Sequence, residues 1–302
     1  MLKKIIIIIT ALFALVGLAF TVVFFGMRYE LLNVRGSIVE RNKFFGAIPK
    51  TDTTSGCKEA NGKTPDTCDW SETREWAVIH DGLIKDQSLI QEISLKTGVD
   101  SRMIISAVIP EQLRFFSDNR EVFKRYFEPL KILGSLTQFS LGVSGIKEGT
   151  AIQIESYANN PKSTYYPGPG YSELLKYEMS VEHDKELFNR LTDAKNHYYS
   201  YLYTAIFIRE IEKQWERAGY NVYGRPDVIV TVFNLGFGSS KPKVDPIVGG
   251  AHINLGGKII ATVLSLLLRL PSNLQVLLRP LPTPPLLQFL LVFQQLRFLH
   301  LK

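Results

Sequence analysis

From residue 71 onward, apolar positions recur at helical rather than strand spacing. SETREWAVIHDGL opens with a Ser-x-x-Arg start and carries Trp76, Val78 and Ile79, which predicts a helix from Ser71. A second amphipathic run, DQSLIQEISLKTG, ends on Gly98, where a left-handed cap is expected. Asp100 then stands as an N-cap before SRMIISAVIPEQLRFF. SDNREVFKRYFEPLKIL has the pattern of a helix, and NPKSTYYPGPGYSE that of an irregular, Tyr-rich loop. A long helix is predicted from about Asp193 to Ala218, closing on Gly219, and Pro226 suits the first turn of PDVIVTVFNLGF. Strand signals are weak throughout and there is no fixed-period repeat. The expected fold class is mainly α.

Ahead of this body, residues 5–27 (IIIIITALFALVGLAFTVVFFGM) run without a charge. At 1.5 Å per residue, about 20 apolar residues cross a bilayer core of about 30 Å. The run is longer than the apolar region of a cleaved signal, and VVFFGMRYE offers no small-residue cleavage site. An uncleaved anchor over residues 1–28 is therefore expected, with a cleaved signal as the other reading. Lys3 and Lys4 precede the run, whereas Arg28 is soon followed by Glu30, so the positive-inside bias keeps the N-terminus cytoplasmic. The body is then expected on the periplasmic or extracellular side, attached to the cytoplasmic membrane by a single pass.

Export gives the two cysteines a meaning. Cys57 and Cys68 lie in SGCKEANGKTPDTCDW, a polar loop within a stalk spanning 29–70, and an oxidising compartment lets them close a short disulfide loop. Two unpaired thiols in a linker are the other reading. The chain carries 35 basic and 29 acidic residues. Eight of the basic residues (Lys3, Lys4, Arg28, Lys258, Arg269, Arg279, Arg297 and Lys302) lie outside 29–245, leaving 27 against 29 within it. That near-neutral body has no basic nucleic-acid footprint. After Asp245 come 57 residues with 17 leucines and no Asp or Glu, interrupted by Pro271, Pro280, Pro282, Pro284 and Pro285. A membrane-hugging tail, a disordered extension and an out-of-frame translation from near Lys258 are all open. The abrupt change of composition favours the last, which makes 258–302 atypical.

Candidate chemistry centres on Glu111. On a helix, Ile104, Val108 and Phe115 lie seven, three and four residues from it, so its carboxyl shares their apolar face. Burial disfavours the charged carboxylate, which is how a glutamic acid becomes a proton donor near neutral pH. Pro110 removes a helix hydrogen bond immediately before it. The competing reading is a solvated Glu111 paired with Arg114 at i+3.

Two later segments bear on that choice. SLGVSGIKEGTA (140–151) has the spacing Ser-x-Gly-x-x-x-Ile-Lys-x-x-Thr-Ala, and RPDVIVTVFNLGF carries Phe-Asn-x-Gly at 233–236. With a Glu on an apolar helix ahead of them, this order resembles the lysozyme-like lytic transglycosylase family over about residues 85–257. The resemblance implies a lysozyme-like helical domain at 71–257, with Glu111 as the single acid/base. It also implies glycan contacts at Ser140, Gly142 and Ile146 in the second motif and at Asn234 and Gly236 in the third. Three positions depart from the pattern. Gln112 stands for the usual Ser, Gly145 for the usual Gln, and Phe233 for the usual Tyr, whose hydroxyl often holds the catalytic carboxyl. Substitutes are available in YYPGPGY (Tyr165, Tyr166, Tyr171) or among Tyr198, Tyr199, Tyr201 and Tyr203, and aromatic rings also suit stacking on sugar. Core packing is the plainer role for the helical tyrosines.

Other groups offer less. His183, His197 and His252 have no metal-ligand spacing and are expected to be ordinary polar residues. GGAHINLGG (249–257) lacks the strand-to-helix context of a phosphate loop. Glu148 and Glu155 lie near the second motif, where either could assist a water and turn the reaction towards hydrolysis; surface solvation is the plainer role for both. The expected function is cleavage of the β-1,4 bond between N-acetylmuramic acid and N-acetylglucosamine in peptidoglycan strands, with no cofactor and no metal. The alternatives are an inactive peptidoglycan-binding protein of the same fold and a membrane-anchored interaction module with an unrelated helical fold.

Overall fold

The computed structural model describes residues 2–28, 45, 73–117, 140–178, 182–249, 253–255 and 258–260. The expected disulfide between Cys57 and Cys68, the expected helix over 118–133, His252 and the tail beyond residue 260 lie outside the described residues. The fold is mainly α, as the periodicity predicts. Its helices are α1 (Leu2–Arg28), α2 (Arg74–Lys85), α3 (Gln87–Thr97), α4 (Ser101–Ser117), α5 (Glu148–Ala158), α6 (Tyr171–Leu174), α7 (His183–Thr192), α8 (Tyr198–Arg217) and α9 (Pro226–Leu235). Two short antiparallel hairpins were not foreseen. β1 (Ser140–Leu141) pairs with β2 (Ile146–Lys147), and β3 (Ile253–Leu255) pairs with β4 (Lys258–Ile260).

α1 is 27 residues of helix. Its described side chains are exposed, among them Ile5 to Ile9, Phe13 and Leu15. Its threonines turn inward on the helix itself, Thr10 donating to the Ile6 carbonyl at 2.9 Å and Thr21 to Gly17 at 2.8 Å. Among the described residues no helix is long and apolar enough to cross a membrane.

Several helix ends follow local chemistry. Gly98 closes α3 in the left-handed conformation, Asp100 Oδ1 accepts the Arg102 amide at 2.8 Å, and Pro226 occupies the first turn of α9. Two ends shift. α2 is capped by Thr73, whose hydroxyl accepts the Trp76 amide at 3.2 Å, rather than by Ser71. The long helix begins at Tyr198, because Asp193 turns its carboxylate onto the amides of Lys195 (2.8 Å) and Asn196 (3.1 Å) and so makes a loop there.

The core is built around two of these helices. α8 packs on α3, α4, α5, α7 and α9, and α4 packs on α2, α3, α9 and β3. Both are apolar on most of their circumference, as buried helices are: Met103 to Pro110 are all buried, and so is most of α8. Phe45, from the segment expected as a stalk, is fully buried in this core. A Cβ on Gly82 would stand 2.6 Å from its ring, so the glycine makes the space it fills. Likewise β4, from the segment expected as tail, pairs with β3 on the side of α4.

Two buried charged groups have opposite surroundings. Asp86, at the α2–α3 junction, accepts from His197 Nδ1 at 2.6 Å and from the Tyr201 hydroxyl at 2.9 Å, and all three side chains are buried. Its carboxylate therefore serves a tertiary tie to the start of α8 rather than the cap of α3. Glu210, in mid α8, is fully buried, and among the described residues neither of its carboxyl oxygens has a hydrogen-bond partner. Burial pushes its carboxyl well above the ordinary range, so it is held neutral.

Asp86→Ala should destabilise the fold by about 3 kcal/mol, read by chemical denaturation, because it strands two buried donors. Glu210→Met should have the opposite effect, raising stability by about 1–2 kcal/mol, since it removes an unsatisfied buried group. The cost of a carboxyl raised by burial is least below its unfolded pKa of 4.5 and grows as pH climbs towards the folded value. The advantage of Glu210→Met in melting temperature should thus be larger at about pH 9 than at about pH 5; an equal advantage at both would overturn the neutral-carboxyl assignment.

Candidate active site

The turn between β1 and β2 is wedged among three helices. Gly142 has φ +64, and a Cβ there would lie 2.0 Å from the Leu191 carbonyl oxygen and 2.3 Å from Ser200 Oγ. No side chain fits at that point, and the left-handed backbone itself favours glycine. Val143 is fully buried, and its carbonyl accepts from the Gln112 side chain of α4. Ser144 donates to the Ser200 carbonyl at 3.0 Å, tying the turn to α8. Gly145, also left-handed at φ +63, sits against Glu111, where an added Cβ would be 2.6 Å from Oε2.

Glu111 occupies the second half of α4, which continues as one helix across Pro110. Its side chain is only 10% exposed, so the carboxyl is not a solvated surface group. It does make the expected i+3 pair: Arg114 Nη1 donates to Oε1 at 2.7 Å. The same guanidinium reaches across to α9, with Nη2 3.2 Å from Asn234 Oδ1. Asn234 is fixed in turn by donating to the Val230 carbonyl at 2.9 Å. Residues from all three sequence motifs thus meet here: Glu111 on α4, Gly145 on the hairpin turn, and Asn234 at the end of α9.

The other expected site residues fall into different roles. Ser140 pairs with Lys147 at the hairpin base. Ile146 is buried in the core, where it anchors β2. Gly142 makes its close approach to α7 and α8. Gly236 ends α9, donating its amide to Val232 at 2.8 Å. Tyr165 belongs to a separate aromatic group, stacked 4.7 Å from Tyr157 with its hydroxyl on the Phe237 carbonyl at 3.0 Å. Tyr166 is half-buried beside it, and its carbonyl accepts from Arg217 at 2.6 Å.

The tyrosines of α8 do not replace the hydroxyl that Phe233 lacks. Tyr201 serves Asp86, Tyr203 serves Glu155, and Tyr198 accepts from Lys96 at 3.0 Å. Tyr199 packs its ring on Arg190, whose guanidinium carbon is 4.2 Å from the ring centre. Phe233 itself is buried against Phe207, with ring centres 5.1 Å apart.

A second polar cluster went unread in the sequence. Glu155 on α5 is 12% exposed and receives the hydroxyls of Tyr177 and Tyr203 on Oε1, while His183 Nε2 stands 2.7 Å from Oε2. Both of its oxygens are thus engaged by neighbouring side chains. His183 Nδ1 lies 3.0 Å from Asp184 Oδ1, so each ring nitrogen faces a carboxylate. Hydrogen bonds donated to Asp184 first and Glu155 second hold His183 above its ordinary pKa of 6.5. The signal available was only a His-Asp pair at a helix start, too common to single out. Among the described residues no group of three or more His, Cys, Asp or Glu is placed to hold a metal ion.

A histidine raised on folding contributes stability that is complete below its unfolded pKa of 6.5 and lost as pH rises through the folded value. The melting temperature of the protein should therefore exceed that of His183→Gln most clearly on the acid side of 6.5, with the gap narrowing above it. A gap independent of pH would show that the imidazolium does not hold α5 to α7. Compared with known proteins, the chain matches no family model, no curated protein and no solved structure.

Proposed function

We propose that the chain is a membrane-anchored lytic transglycosylase acting on peptidoglycan, with Glu111 as its single acid/base. The observation that carries this reading is the convergence at Glu111: a carboxyl 10% exposed on an apolar helix, against Gly145 of the second motif and joined through Arg114 to Asn234 of the third. These residues lie far apart in the chain, and the resemblance in the sequence groups the same three motifs at one site.

In the proposed reaction, protonated Glu111 gives its proton to the glycosidic oxygen as the C1–O bond to N-acetylglucosamine breaks. The muramyl O6 then bonds to C1 and returns its proton to Glu111. Water is not consumed, and one carboxyl serves both steps, where hydrolytic glycosidases use two. Were water to attack in place of O6, the same residue would yield a muramidase. The uncharged run 5–27 and the helical backbone of Leu2–Arg28 support an anchor that keeps cleavage near the membrane.

The second reading is an inactive peptidoglycan-binding protein. It is favoured by the Arg114–Glu111 ion pair, which occupies the carboxylate, and by the absence of a hydroxyl on Phe233. Digestion of purified sacculi by the full chain in detergent separates the two, with products read by mass spectrometry. Anhydro-muropeptides should form, and Glu111→Gln should lower their rate by about 10²–10⁴-fold, the usual worth of a general acid. Binding to sacculi without products from either form would favour the inactive protein.

A further inference from the structure

The Glu111 carboxylate is held from two sides. On one, the bare backbone of Gly145 approaches so closely that a Cβ would stand 2.6 Å from Oε2. On the other, Arg114 grips Oε1 at 2.7 Å while its second terminal nitrogen contacts Asn234 at 3.2 Å. A guanidinium is a rigid planar fork, so fixing one nitrogen on α9 fixes the direction in which the other points on α4. The pair is partly screened from solvent, with side-chain exposures of 23% for Arg114 and 10% for Glu111. Asn234 is not a loose end, because its amide nitrogen is bonded to the Val230 carbonyl of its own helix. Phe233, its neighbour, is turned into the core and offers no polar atom.

We infer that Arg114 is the positioning residue of this site, transmitting the placement of Asn234 on α9 to the carboxyl of Glu111 on α4. The inference rests on the proposed role of Glu111 for its functional consequence, but the tie itself is independent of any reaction. Arg114 acts through Glu111 and is not assigned a contact with substrate. A lysine keeps the charge but not the fork, so Arg114→Lys should restore the ion pair without the link to Asn234.

Two measurements on the full chain in detergent test this. The first labels carboxyls with a water-soluble carbodiimide and maps Glu111 by mass spectrometry. Labelling should rise severalfold in Arg114→Met, rise less in Asn234→Ala, and rise no further when the two are combined, since both break one chain of contacts. Unchanged labelling in Arg114→Met, or independent effects of the two substitutions, would overturn the inference whether or not sacculi are cleaved. The second is turnover on sacculi. Arg114→Met should lower kcat by about tenfold or more with KM changed by less than about twofold, and Arg114→Lys should recover part of that loss. Wild-type turnover in Arg114→Met would sink the positioning role. If the native chain releases no products while labelling responds as expected, the failure belongs to the lytic reading and the tie stands.

Discussion

The turn at 142–145 is the constraint on which the rest of the site depends. Four consecutive residues each meet a different obstacle: Gly142 the end of α7 and start of α8, Val143 the side chain of Gln112, Ser144 the Ser200 carbonyl, and Gly145 the Glu111 carboxyl. Backbone can pass through such a gap only where side chains are missing, and the two outer positions are glycines in left-handed conformation. The hairpin that results is only two residues per strand, too short to be stable alone. Its position comes from the helices around it, and it in turn lays polypeptide over the carboxyl of α4.

The helices that form this frame use polar groups in two contrasting ways. Asp86, His197 and Tyr201 form a buried hydrogen-bonded cluster, in which the α2–α3 corner is locked to the first turn of α8. Since Ser200 lies within that same first turn and touches both Gly142 and Ser144, the network also fixes the floor beneath the hairpin. Glu210, further along α8, is buried without such compensation. A buried polar group without a partner costs stability, and nothing in the described residues returns that cost. The helix is therefore well tied at its N-terminal end and carries an unsatisfied group towards its C-terminal half.

Much of this was legible from local chemistry. Gly98, Asp100 and Pro226 mark their helix ends because each acts on its own backbone, and Glu111 stood out as a carboxyl on an apolar face. What escaped reading depends on contacts distant in sequence. Gln112 and Gly145 looked like departures from a motif, yet one anchors the hairpin turn to α4 and the other makes room for the carboxyl. Asp193 carried a helix signal that its own side chain cancels by capping a turn. Phe45 gave no hint of burial, since the space for it is created by Gly82 on a helix it does not belong to. His183 and His197 were unremarkable because their partners, Glu155 and Asp86, are 28 and 111 residues away.

The position of Arg114 sets a condition on any chemistry at Glu111. Its guanidinium is bonded to Oε1, and Gly145 faces Oε2, so the two carboxyl oxygens have different neighbours. A proton on Oε1 would meet a guanidinium hydrogen, and two donors cannot share that contact. On the lytic reading, the proton given to the glycosidic oxygen and recovered from O6 therefore belongs to Oε2, on the side of the hairpin turn, while Oε1 keeps its tie throughout. On that reading no second carboxylate is needed, one oxygen fixing the group in place and the other carrying the proton. The arrangement also gives a physical reason for a glycine at 145, because a Cβ there would stand 2.6 Å from Oε2.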